Sequence, residues 1–404
     1  MHISHRQLFF DRLAQTSDYP LALEIERAEG VYMYGTNGRK YLDLISGIGV
    51  SSVGHRHPAV LKALHEQLDK HMHLLVYGEF VQGSQVQLAR ALTDTLDVHS
   101  ASPSPYGKID NVYFTNSGTE AAEGAMKLAK RFTGKNEFIS CFNAYHGATQ
   151  GALSLSGSED FKRSFRPLLT GITNIRHGHE DDLEKITNKT AAVIIEIVGA
   201  ESGVRLSTRA YFQALRNRCN ETGTLLILDE VQTGFGRTGS FWAFEQYDIY
   251  PDIVLTAKAM GGGMPIGAFM ASQQVMEVLK TNPILGHITT FGGHPVSCAA
   301  SLAALQVTLH EGLTETAHVK GELFKSLLVH RHIREVRGKG LMLAAEMESF
   351  EKLKHTIDLC IARGVVTDWF LFCDNSMRIA PPLIITEEQI REGCTVILEA
   401  LDSI

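Results

Sequence analysis

The chain has 404 residues, which at roughly 150 per domain holds two to three domains and buries a full core. Its 38 Lys and Arg against 45 Asp and Glu give a net charge of −7 with no basic block, so a nucleic-acid partner has no electrostatic footing. With 44% apolar residues, no run near the roughly 18 that span a membrane and no apolar signal core in Met1 to Phe10, the expectation is a cytoplasmic globular protein with no membrane partner.

The first residues, to about Asn37-Gly38, read as a tail and then a hairpin, with strands Val31–Met33 and Lys40–Leu44 about that turn. Pro58 starts a helix to His73 that carries Val60, Leu61, Leu64 and Leu68 at helical spacing, and Val86–Leu96 is another. From Asn111 short apolar strands alternate with helices. The strands are Asn111–Phe114, Glu137–Cys141, Ala192–Ile195, Leu225–Leu228 and Ile253–Leu255; the helices are Ala121–Phe132, Asp181–Ile186 and Arg209–Thr222. Uninterrupted apolar strands suit a sheet covered on both faces, and the alternation implies right-handed crossovers and a mostly parallel α/β sheet. Ile266–Met270 is a further strand whose direction the sequence leaves open. A helix Pro295–Leu309, a helix to about Val329, strands near Ile333–Val336 and Leu341–Glu346, a helix Lys352–Arg363 and a last helix from Glu387 make a smaller α+β ending.

Three stretches carry chemistry. Ser117-Gly-Thr-Glu-Ala121 follows a strand and opens a helix; free N–H groups there make an anion site, and Gly118 lets a phosphate approach, although the same residues alone also read as a plain N-cap. Asp229-Glu230 end a buried strand ahead of a Gly-rich loop, where ligands of parallel sheets bind; an Asp there can hold a metal, act as a base or pair with a ring cation. Lys258 ends another apolar strand before Gly261-Gly-Gly263, and a desolvated lysine can lose its proton and attack a carbonyl. Together they match pyridoxal 5′-phosphate, with its phosphate, its ring nitrogen and its aldehyde. The six cysteines include no Cys-x-x-Cys and read as reduced thiols, and paired histidines such as His55 and His57 have no acid or Cys partner that would make a metal site.

The chain resembles the class III aminotransferases, pyridoxal-phosphate enzymes of fold type I, from about Glu26 to Thr395. The stretches that carry the resemblance are Asp229-Glu-Val-Gln-Thr-Gly-Phe-Gly-Arg-Thr-Gly239, Gly54-His-x-His-Pro58, Ser117–Ala121, Tyr145-His-Gly147, Lys258 with its glycines, Thr290-Phe-Gly-Gly-His-Pro295 and Arg378-Ile-Ala-Pro-Pro382. The resemblance implies a large domain, 55–295, with a seven-stranded sheet, and a small domain built from 1–54 with 296–404. It implies that Lys258 forms the Schiff base and that Asp229 pairs with the ring nitrogen, while Gln232 bonds the ring 3′-oxygen. Val231 and Tyr145 cover the two ring faces, Ser117, Gly118 and Thr119 hold the phosphate, and His146 and Glu196 line the same site. Thr290 reaches the phosphate of a neighbouring subunit, which implies a homodimer. Arg378 clamps a substrate carboxylate and Glu201, in Glu196-Ile-Val-Gly-Ala-Glu-Ser-Gly203, gates it.

Two positions depart from the ornithine, acetylornithine and 4-aminobutyrate types. Those carry an Arg after the aromatic-x-Gly motif, where this chain has Ala148, and the ornithine type has a Tyr where this chain has Ile48. Without that cation a distal carboxylate has no partner, so the expected pocket suits neutral or aliphatic groups. The expected activity is an ω-aminotransferase passing an amino group from a primary amine or ω-amino acid to a 2-oxo acid; aminomutases, racemases and lyases share the scaffold.

Overall fold

The computed structural model describes residues 3–96 and 104–404. Helix α1 (His5–Arg12) buries none of its residues, so no apolar stripe marks it in the sequence. The hairpin forms as β2 (Tyr32–Gly35) and β3 (Lys40–Asp43), and β1 (Ile25–Glu29), mostly polar and exposed, adds antiparallel to β2. Helix α2 (Pro58–Leu68) ends at the last apolar residue of its stripe rather than running to His73. Helix α3 is Gly83–Asp94.

The middle of the chain builds one sheet. Its elements are β4 (Asn111–Thr115), α4 (Gly118–Thr133), β5 (Glu137–Cys141), α5 (Gln150–Leu155), β6 (Ile172–Ile175), β7 (Thr190–Glu196), α6 (Arg209–Thr222), β8 (Leu225–Asp229), β9 (Ile253–Thr256) and β10 (Gly267–Ala271). The seven strands lie in the order β4-β10-β9-β8-β7-β5-β6, as the sequence reading of an α/β fold requires. Pairs from β9 through β6 are parallel, and β10 runs antiparallel to both its neighbours. The edge strand β6 escaped sequence reading because Ile172-Thr-Asn-Ile175 is half polar and only Ile175 is buried. The expected helix at Asp181–Ile186 is a 3-10 turn, Glu180–Lys185, in which Asp182 takes the Arg176 N–H and guanidinium and the Lys185 ammonium.

The strand period of two sorts β7 and β8 onto opposite faces. Ala192, Ile194, Leu225 and Ile227 pack with Ala121 and Ala125 of α4, whereas Val193, Ile195, Leu226 and Leu228 pack with Tyr211, Phe212 and Leu215 of α6. Beyond the sheet come α7 (Pro295–His310), α8 (Leu313–Leu327), β11 (Glu335–Lys339), β12 (Met342–Glu346), α9 (Phe350–Ala362), β13 (Val365–Val366), β14 (Trp369–Phe370), β15 (Cys373–Ile379) and α10 (Glu387–Asp402). Strands β11-β12-β15-β14 form an antiparallel sheet, while β13 pairs parallel with β3. Strand β15 opens on polar Cys-Asp-Asn-Ser, which hides it from an apolar-run reading, yet it is buried from Ser376 to Ile379. Leu42 and Leu44 share a core with Leu353, Ile357, Ile390 and Ile397. Among the described residues no helix is long and apolar enough to cross a membrane.

Candidate active site

Because β5, β7, β8 and β9 are adjacent and parallel, their carboxyl ends lie side by side. Glu196 ends β7 directly opposite Asp229, which ends β8 and pairs in register with Leu255 of β9. Tyr145 and His146 follow β5, and Lys258 follows β9. Strand β4 is antiparallel to β10 as β9 is, so Ser117 and Gly118 reach the same edge. Here a cavity of about 520 Å³ opens, lined by residues that include Ser117, Gly118, Thr119, Tyr145, His146, Ala148, Glu196, Asp229, Val231, Gln232 and Lys258.

Each wall has its own chemistry. The Ser117 hydroxyl caps α4 by accepting the Glu120 N–H at 3.3 Å, which leaves the Gly118 and Thr119 N–H groups at the cavity without intrahelical acceptors. Gly147 has φ +137, and a Cβ there would stand 2.1 Å from Thr119 Oγ1, so only glycine lets the Tyr145–Ala148 loop pass this close to α4. Asp229 accepts the His146 Nδ1–H at 2.7 Å and the Val231 N–H at 3.0 Å, two donors that fix its orientation. Among the described residues the buried His146 Nε2 and Glu196 Oε2 have no partner. Burial first, then the Asp229 charge, pushes the Glu196 carboxyl well above the ordinary carboxylate range. Lys258 is half-buried in the cavity wall, and burial pulls its ammonium down to about 8, so near neutral pH part of it is the free amine. Its φ of +48 is a left-handed backbone conformation unusual for a lysine, and such strain concentrates at functional sites.

A second charged group adjoins the cavity. Glu201 Oε1 accepts from Gln232 at 3.0 Å and from Arg378 Nη1 at 2.9 Å; Oε2 accepts from Arg378 Nη2 at 3.0 Å and from the Leu371 N–H at 3.1 Å. Burial alone raises the Glu201 carboxyl, but the Arg378 charge and its hydrogen bonds outweigh that and take it down to about 2. Arg378 and Glu201 are both buried and stand behind Gln232, outside the cavity lining.

Two expected residues stand elsewhere. Ile48 lies outside the lining and is 38% exposed, because Ser46, Gly47, Ile48 and Gly49 all take positive φ and turn it outward; Val50 lines the cavity instead. Thr290 is exposed and also outside the lining. The lining includes Asn116, Met264 and Ile266, which no motif had singled out, and Asp368 bonds Arg378 Nε at 2.8 Å. Nothing in the sequence marks Asp368, since the contact depends on the pairing of β14 with β15.

The residues present fit pyridoxal phosphate. A half-buried lysine, an Asp held by its own donors, and open N–H groups at a helix start face one cavity, in which His146 Nε2 and Glu196 Oε2 have no partner among the described residues. The family described as Aminotransferase class-III matches residues 13–401. An acetylornithine aminotransferase of Methanopyrus kandleri is 39% identical over 378 residues, spanning 92% of each chain. A [LysW]-aminoadipate semialdehyde/glutamate semialdehyde transaminase of Sulfurisphaera tokodaii is 37% identical over 330 residues, 80% of this chain and 82% of that one. Among solved structures, an ornithine aminotransferase of Toxoplasma gondii superposes with a TM-score of 0.89 at 29% identity, covering 99% of this chain and 96% of that one. A PLP-bound amine transaminase of an uncultivated Pseudomonas species gives 0.89 at 25% identity, covering 97% and 99%. The chain therefore belongs to the class III aminotransferases, enzymes dependent on pyridoxal 5′-phosphate.

Proposed function

We propose that this aminotransferase takes its amino group from a primary amine or ω-amino acid, favouring donors that carry no distal carboxylate, and passes it to a 2-oxo acid in a ping-pong cycle. The observation that carries the reading is the cavity wall: among the described residues no arginine lines it, Lys258 is its one lysine, and Ala148 stands where the related types have a cation. A buried or half-buried carboxylate without a partner costs several kcal/mol at the upper end of the transfer scales, so donors that end in one are disfavoured. Acetylornithine and 4-aminobutyrate both end in one.

In this reading Gly118 and Thr119 hold the cofactor phosphate through N–H groups, with the Ser117 cap fixing the helix start. Asp229, oriented by His146, holds the proton on the ring nitrogen. Val231 and Tyr145 close the two ring faces, Gln232 serves the ring oxygen, and Glu196, its carboxyl pushed up by burial, lines the wall. The bound cofactor supplies a ring that accepts the electron pair left when the carbon beside the amine loses its proton. Lys258 Nζ, as free amine, would take that proton and deliver it across the nitrogen to the carbon of the cofactor. Arg378 binds the acceptor's carboxylate once Glu201 has moved off its fork. A homodimer in which Thr290 serves the other copy's phosphate accords with its exposed place outside its own chain's cavity.

The test is a donor panel of ornithine, acetylornithine, 4-aminobutyrate, putrescine and simple aromatic amines, each with pyruvate and with 2-oxoglutarate. Putrescine and the aromatic amines are expected to lead. Acetylornithine in first place overturns the reading. A donor added without acceptor is expected to bleach the cofactor's visible band; a band that persists at steady state points to mutase or racemase chemistry instead.

A further inference from the structure

Arg378 has five N–H donors in a fixed fork, and the structure gives four of them acceptors. Nε donates to Asp368 at 2.8 Å, Nη1 and Nη2 donate to the two oxygens of Glu201, and Nη2 also donates to the Trp369 carbonyl at 3.1 Å. Asp368 and Glu201 are tethered differently. The Arg378 N–H donates to the Asp368 carbonyl at 2.9 Å, and the Thr367 hydroxyl donates to the Arg378 carbonyl at 2.6 Å, so Asp368, just ahead of β14, is fixed to Arg378 of β15 through the backbone. Glu201 sits in the loop after β7 and reaches Arg378 with its side chain alone. An incoming carboxylate can therefore replace Glu201 but not Asp368. One guanidinium facing two carboxylates leaves a charge of −1; a newcomer on the fork meets the same repulsion from Asp368 that Glu201 met, and because the displaced Glu201 stays close by, the negative charge near Asp368 grows by one.

We propose that Asp368 is a specificity-determining positioning residue: it anchors the Arg378 fork through Nε, and its charge weakens the hold of Arg378 on substrate carboxylates. The enzyme thereby favours amines that bring no carboxylate to this end. The inference rests on the reading above only in taking Arg378 as the acceptor's carboxylate site. Repulsion between like charges on two edges of one guanidinium is short-ranged and poorly screened when all three groups are largely buried. The Asp368 side chain is 25% exposed, so its replacement opens no sealed cavity.

Asp368→Asn keeps an acceptor oxygen for Nε and removes the charge; Asp368→Ala removes both. The holoenzymes are titrated calorimetrically with glutarate, a dicarboxylate that cannot react, and assayed with an amine donor and 2-oxoglutarate. Asp368→Asn is expected to lower the glutarate Kd and the 2-oxoglutarate KM about five- to tenfold, or about 1 to 1.4 kcal/mol. The amine KM is expected to stay within about twofold. Asp368→Ala is expected to gain less than Asp368→Asn, having lost the anchor on Nε. Glutarate binding no tighter in Asp368→Asn than in the unaltered enzyme overturns the proposal. So do amine and oxo-acid constants that shift together, the pattern of a merely structural role. An unaltered enzyme that binds glutarate but transaminates no amine refutes the proposed donor class and leaves the glutarate comparison standing.

Discussion

Ala148→Arg asks directly whether the missing cation sets donor choice. Ala148 is exposed to the cavity of about 520 Å³, so a longer side chain has room to enter. A guanidinium that reaches a donor's distal carboxylate makes a charge-assisted, bidentate contact worth about 1.5 to 3 kcal/mol. At 1.4 kcal/mol per decade that is about a 10- to 100-fold gain in kcat/KM for 4-aminobutyrate. 1-Aminobutane, of the same carbon count and without the carboxylate, gains nothing and loses a few-fold at most, because the new side chain occupies volume. The assay is initial rate against donor concentration at fixed 2-oxoglutarate, with cofactor occupancy checked by absorbance. High 4-aminobutyrate turnover in the unaltered enzyme that falls in Ala148→Arg refutes the reasoning, since another group would then be binding the distal carboxylate.

Three further outcomes follow from the electrostatics. Glu201, taken from 4.5 to about 2, has gained about 3 kcal/mol for its ionised form, so Glu201→Gln is expected to lower the 2-oxo acid KM at least about tenfold; an unchanged KM, measured by steady-state rates, contradicts the gate. Lys258, pulled down to about 8, is expected to give a rate of cofactor capture by the apoenzyme that rises with pH and levels off above about 8, and a midpoint near 10 contradicts its burial. Glu230 is pushed up to about 7 by burial, so the folded chain binds the extra proton between about 4.5 and 7 and stability falls as pH rises through that window. Glu230→Gln removes that loss, and the urea midpoint of the unaltered enzyme should therefore drop relative to the variant's between pH 5 and 7.5; an equal gap at both pH values contradicts this.

What the sequence disclosed was whatever a contiguous pattern can carry. Strands β7 and β8 are apolar throughout because both faces are covered, and that same fact puts polar Asp229 and Glu196 visibly at their ends. Lys258 was legible for the same reason, one residue beyond the turn out of β9. Contacts between distant segments were not. His146 reaches Asp229 across 83 residues, and Arg378 reaches Glu201 across 177, so only motif resemblance suggested the second and nothing local could show the geometry of either. Edge and polar strands such as β6 and β15 lack the apolar run that marks a buried strand. Ile48 failed for a smaller reason: four successive positive φ values decide where its side chain points, and two of those four residues are not glycine.

Asp229 and Glu230 illustrate how position, not residue type, assigns the work. They are adjacent acids, and the strand period sends them to opposite sides. Asp229 lies with Leu225 and Ile227 on the α4 face and opens on the cavity, where His146 and the Val231 N–H hold it. Glu230 turns away and ties the following loop, accepting the Ala243 N–H at 3.1 Å and the Phe244 N–H at 3.0 Å. The same logic balances the lysine. Burial lowers Lys258 most; Glu201 raises it and Arg378 lowers it, two contributions of opposite sign from one ion pair. When a substrate carboxylate takes the place of Glu201 on Arg378, one negative charge replaces another beside that cation. In the exchange proposed above the carboxylate contact on Arg378 is kept, so Lys258 is expected to serve as proton carrier with either kind of substrate.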